Sequence, residues 1–139
     1  MSVKATDIAV GDTRELVLVE DLTRTRIVQY AGASGDYNPL HSDELFAREA
    51  AGFPTVFAHG MLTMGMTGRV LTDWVGDGRL TSYGVRFVGQ VWPGDSLTAT
   101  ATVEAVRHED GSDYADFKVA TRNQRGEDVL TGTATARLG

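Results

Sequence analysis

Cysteine is absent from this chain of 139 residues. Disulfides, thiolate nucleophiles and Cys-based metal sites are therefore excluded. No apolar run is long enough to span a membrane. The start, Met1-Ser2-Val3-Lys4, lacks the apolar core of a signal peptide, so no export by that route is expected and the cytoplasm is the expected location. Excess basic charge is also lacking. Thirteen Lys and Arg stand against 19 Asp and Glu, for a formal charge of -6, which argues against a nucleic-acid partner. No Gly-x-Ser-x-Gly elbow is present, which disfavours a serine hydrolase. Gly32-Ala33-Ser34-Gly35 is followed by no Gly-Lys-Ser/Thr and is not a phosphate loop. The histidines number only three and have no paired spacing, so neither a metal site nor a cofactor is expected.

What is present suits one domain over residues 1–139, with 42% apolar residues to build a core. Sixteen glycines punctuate the chain. Arg14 to Glu20 alternates and reads as a strand. Thr23 is an N-cap for a helix to about Ala33, with Ile27, Val28, Tyr30 and Ala31 as its buried stripe. Ser42 is positioned to cap a short helix with Asp43 and Glu44 in its first turn and Leu45, Phe46 and Ala50 facing inward. Gly60 to Val75 is the longest apolar helical candidate, and a helix apolar on most sides is usually buried. Its Gly65 and Gly68 cost about 1 kcal/mol each relative to alanine and imply a backbone pressed close. Tyr83 to Val91, Ser96 to Val106, Tyr114 to Asn123 and Asp128 to Leu138 read as strands separated by hairpin-length turns. One strand, then helices, then four strands indicates α+β, with an antiparallel sheet around a central helix.

Polar groups concentrate in Ala33-Ser34-Gly35-Asp36-Tyr37-Asn38-Pro39-Leu40-His41. Gly35 lets the chain leave the preceding helix, and Pro39 biases Asn38 toward an extended conformation. The stiff loop carries a carboxylate and an imidazole at a spacing that is not helical. If the loop folds Asp36 and His41 together, they can hold a water between them. On the alternative reading, Asp36 caps a turn and His41 merely precedes a helix.

Ser-Gly-Asp-Tyr-Asn-Pro-Leu-His, followed by Ala58-His59-Gly60-Met61-Leu62, resembles the hydratase signature of the MaoC-like family. That family includes (R)-specific enoyl-CoA hydratases and small actinobacterial fatty-acid-elongation dehydratase subunits. The chain looks most like the latter, through Ala-His-Gly-Met-Leu-Thr-Met-Gly and Trp74-Val75-Gly76-Asp77 as well. The resemblance implies a hot dog fold, a long helix wrapped by an antiparallel sheet and paired into a dimer. It implies hydration of trans-2-enoyl thioesters, or the reverse dehydration of (3R)-hydroxyacyl thioesters. Asp36 would be the base toward water, His41 its orienting partner and proton relay, and Asn38 a support. The Gly60 N–H would meet the thioester oxygen. The substrate would be an acyl-CoA or an acyl-carrier-protein thioester. The assembly would be a homodimer, or a heterodimer with a related subunit lacking the pair. A thioesterase is the rival reaction on such a fold, and a non-catalytic acyl-binding subunit is a second rival.

The Gly60 role makes physical sense. Adding water to a 2-enoyl thioester builds negative charge on the carbonyl oxygen, and a helix N-terminus offers donors there. Of the remaining polar residues, His59 reads as a structural partner near the site and His108 as solvated. Met61, Met64 and Met66 read as core filler in preference to an acyl tunnel. Arg86, Lys118, Arg122 and Arg125 read as solvated surface cations in preference to contacts for CoA or carrier phosphates.

Overall fold

A computed structural model describes residues 2–139. Met1, the first residue of the start read for a leader, lies outside the described residues. The alternating segment forms strand β1, Thr13–Val19. Helix α1, Arg24–Ser34, begins where expected, with the Thr23 side chain accepting from the Arg26 N–H. It ends at Gly35, whose φ of 77° lies in the left-handed region and whose N–H donates to the Ala31 carbonyl. Ile27 and Ala31 are buried and Tyr30 half-buried, whereas Val28 is exposed, so the buried stripe is narrower than expected.

The next segment differs from expectation. Pro39–His41 forms a 3₁₀ turn, and the Ser42 N–H closes it on the Pro39 carbonyl. Asp43 takes the capping role instead, accepting from the Phe46 N–H at 3.1 Å. The helical turn beyond it widens into π geometry over Phe46–Ala50. A π turn advances each side chain less far around the axis than an α turn does. The inward face passes to Ala47, which is fully buried, and Leu45, Phe46 and Ala50 face outward.

Helix α2, Gly60–Val75, has the expected bounds and buries Val70, Leu71, Trp74 and Val75. The four strands expected after it are all present, with bounds shifted by a few residues. They are β2 (Leu80–Phe87), β3 (Leu97–Glu109), β4 (Ser112–Arg122) and β5 (Asp128–Arg137). All pairings are antiparallel, in the order β1-β3-β4-β5-β2. β3-β4 and β4-β5 are hairpins, as expected. β2 is not joined to β3 by one: it pairs with β5 at the far edge, and the segment through Pro93-Gly94-Asp95 carries the chain across the sheet.

On β3, Leu97, Ala99, Ala101 and Val103 are buried while Thr98, Thr100 and Thr102 are not, matching the alternation. The inner sheet face is rich in alanine, with Ala99, Ala101, Ala115, Ala134 and Ala136 all buried. Small residues there let the large side chains of α2 sit close to the sheet. Trp74 meets Phe117 edge-on with ring centres 5.2 Å apart. Gly65 and Gly68 correct an expectation. A Cβ at Gly65 would meet nothing within 4 Å, and one at Gly68 would touch only the Tyr83 ring, so no backbone presses on either. One face of α2 (Met61, Gly65, Arg69 and Asp73) is exposed on this chain. Among the described residues, no helix is long and apolar enough to cross a membrane.

Candidate active site

The loop after α1 is folded by its own side chains. The Asn38 N–H donates to Asp36 Oδ1 at 3.2 Å, and the Leu40 N–H donates to Asn38 Oδ1 at 3.0 Å. These short-range bonds are the ones Asp and Asn favour in turns. They shorten the path from Asp36 to His41, so the carboxylate and the imidazole converge. One side-chain ligand atom from each of Asp36, His41 and His59 lies within 4.8 Å of the other two. The expected meeting of Asp36 and His41 is thus realised. Asn38 Oδ1 is occupied as the cap of the 3₁₀ turn.

His41 Nδ1 lies 2.6 Å from the Phe57 carbonyl. A carbonyl only accepts, so Nδ1 carries the proton, and in neutral His41 the Nε2 lone pair is free to accept another. The His59 ring is buried behind this pair, and its Nε2–H donates to the Asp36 backbone carbonyl at 3.1 Å. It stacks on His41 with ring centres 3.8 Å apart and planes 26° apart, and Tyr30 meets its other side edge-on at 4.8 Å. Burial, and then the neighbouring His41, hold the His59 imidazole below its ordinary range, against the opposing pull of Asp36. His59 is therefore a neutral brace touching both other residues, in line with the structural role expected of it.

The cluster of one carboxylate and two imidazoles was invisible as a spacing in the sequence. Its geometry still does not suit a metal ion. The free lone pairs of His41 Nε2 and His59 Nδ1 lie in stacked, nearly parallel ring planes. Lone pairs held that way do not converge on one centre at ordinary ligand distances.

Gly60 opens α2 directly after His59. It lines a cavity of about 380 Å³ together with Phe57, Thr63, Phe87, Gln90 and Val129. A Cβ at position 60 would stand 3.0 Å from the Phe87 ring, so glycine is what lets the ring lie against the start of the helix. Asp36 and His41 do not line this cavity. Phe57 joins the two, lining the cavity while its carbonyl holds His41 Nδ1 and its ring packs edge-on against His41.

Sequence reasoning missed Thr63, Phe87, Val88 and Gln90 as cavity residues. One available signal was Thr63, a hydroxyl three residues after Gly60 in the first turn of a largely apolar helix. Met64 and Met66 pack against the core, as core filler should, whereas Met61 is exposed; none of these three lines the cavity. Arg122 and Arg125 pair with Asp128 and Glu127. Arg86 and Lys118 line an outer-face groove on the sheet. His108 is exposed and meets Asp113.

The family profile described as MaoC like domain matches residues 6–124. The chain belongs to this family. The fold is accordingly the hot dog fold, with its sheet curved around α2. Over 123 residues this MaoC-like chain is 34% identical to an (R)-specific enoyl-CoA hydratase of Rhodospirillum rubrum, covering 87% of this chain and 83% of that one. It is 42% identical over 95 residues to 3-hydroxyacyl-thioester dehydratase Y of Mycobacterium tuberculosis, covering 62% of this chain and 33% of that one. It therefore spans about a third of the length of that longer relative. Among solved structures it resembles the ChsH1-ChsH2 complex from Mycobacterium tuberculosis, with a TM-score of 0.79, 29% identity, and coverage of 94% of this chain and 98% of that one.

Proposed function

We propose that this MaoC-like chain hydrates trans-2-enoyl thioesters to (3R)-hydroxyacyl thioesters, or runs the reverse dehydration. The observation that carries the proposal is the convergence of Asp36 and His41 with the His41 Nδ1 proton committed to Phe57. Both groups then present acceptors to a shared water. Asp36 takes one proton from it, His41 Nε2 holds the other hydrogen, and the oxygen attacks the β-carbon. Electrons move to the thioester oxygen, where the Gly60 N–H at the start of α2 stabilises the enolate. The proton taken by Asp36 returns to the α-carbon from the same face. Hydroxyl and hydrogen are thus both supplied by one water. Asn38 serves by holding the turn.

The stereochemistry rests on the likeness to the (R)-specific hydratase. The acyl carrier is CoA or a carrier protein. The assembly in this proposal is a homodimer, with the two-protein complex among the structural relatives supporting a heterodimer as the alternative. One domain over residues 1–139 and a cytoplasmic setting belong to the same proposal. The rival reaction is thioester hydrolysis. Crotonyl-CoA incubated with the purified protein is expected to lose its enoyl absorbance without releasing free thiol. Stoichiometric thiol release would assign the chain to the thioesterases instead.

A further inference from the structure

Helix α2 carries Thr63, Thr67 and Thr72, and the three hydroxyls have different fates. Thr72 donates back to the Gly68 carbonyl, and Thr67 pairs with Thr121 at 2.6 Å inside the core. Thr63 is 2% exposed, and its hydroxyl has no hydrogen-bond partner among the described residues. An unpaired buried hydroxyl is costly, and a helical threonine ordinarily avoids it by bonding one turn back. Thr63 nonetheless lines the cavity beside Gly60.

Two geometric facts aim it. Residues three apart on a helix share a face, so Thr63 stands directly over Gly60. Side chains on a helix lean toward its N-terminus, so the Thr63 side chain leans toward the first-turn N–H groups. The His59 Nδ1 is also buried without a partner. It bears no proton, since Nε2 donates to Asp36, and so it cannot serve as a donor.

We propose that Thr63 is a second donor to the thioester oxygen, acting with the Gly60 N–H across the cavity they share. This rests on the hydratase reading above. An enolate oxygen has lone pairs for two donors, and stabilisation of its charge grows with each one. In the free chain the hydroxyl is covered. Rotation about χ1, for which helical threonine has two favoured settings, exchanges it with the methyl group and presents it to the substrate. Binding then supplies the partner that the free chain withholds.

The test compares wild type, Thr63→Val and Thr63→Ser in crotonyl-CoA hydration, with Asp36→Asn alongside. Valine keeps the shape and deletes the hydroxyl. It is expected to lower kcat by on the order of 10²-fold with KM little changed, and serine to recover most of that loss. A second reading uses Asp36→Asn protein, whose slowed turnover is expected to leave crotonyl-CoA bound long enough to observe. The thioester carbonyl stretch of the bound substrate should lie below its value in water, and adding Thr63→Val should move it back toward that value. If Thr63→Val fails to fold, Thr63→Ala is carried through the same two readouts. Unchanged kcat, or a lost kcat with an unmoved carbonyl stretch, would overturn the Thr63 assignment while leaving the hydratase reading intact. Full turnover by Asp36→Asn would instead overturn the hydratase reading, and this inference with it.

Discussion

His59 braces the site through one bond and two ring contacts, and its protonation is therefore coupled to stability. Its folded-state affinity for protons is lowered, chiefly by burial. The unfolded chain binds that proton more readily, so stability is full above the ordinary value of 6.5 and is lost as pH falls through and below it. Denaturant midpoints measured across this range should fall with acidification, and His59→Phe should flatten the His59 part of that slope. The buried Thr67–Thr121 pair makes a second residue-scale prediction. Thr67→Val strands the Thr121 hydroxyl and should cost about 1–3 kcal/mol, while changing both to valine should recover much of it. A double-mutant cycle by equilibrium unfolding checks this. Residue types alone showed that Asp36 and His41 were chemically suited to each other. They did not show the brace, because His59 reaches Asp36 from a different element, through a contact distant in sequence.

Among the elements, the legible ones had strong local signals. Thr23 and Gly35 mark both ends of α1 by their capping chemistry, and the Thr and Ala alternation of β3 reports its two faces. The less legible ones depend on partners. β2 is an edge strand whose side chains are largely exposed, so its pattern carries little periodicity and sequence order suggested the wrong neighbour. The segment after His41 was misassigned by one residue at its cap because Ser42 and Asp43 are both good capping residues, and the 3₁₀ turn had already engaged Ser42. Asp43→Ala should cost about 1 kcal/mol. Leu71→Ala in α2, at a fully buried position against the sheet, should cost roughly 2–5 kcal/mol. Thermal or urea unfolding distinguishes the two magnitudes.

For the whole molecule, the hot dog fold puts the start of α2 beside the loop that follows α1. The donors at one helix terminus and the acceptors in one turn are thereby neighbours, linked through Phe57 and His59. The same arrangement leaves one face of α2 and the apolar side chains of Met61, Phe87 and Val88 exposed on the single chain. Sedimentation of the purified protein should therefore give about twice the 15.0 kDa chain mass. A monomer that hydrates at full rate would remove the dimer from the proposal. The central claim, that Asp36 acts on the water added to an enoyl thioester, is tested most directly by crotonyl-CoA hydration rates for wild type and Asp36→Asn at equal folded concentration. The account predicts a loss of about 10²–10⁴-fold in the variant. Equal rates would contradict it.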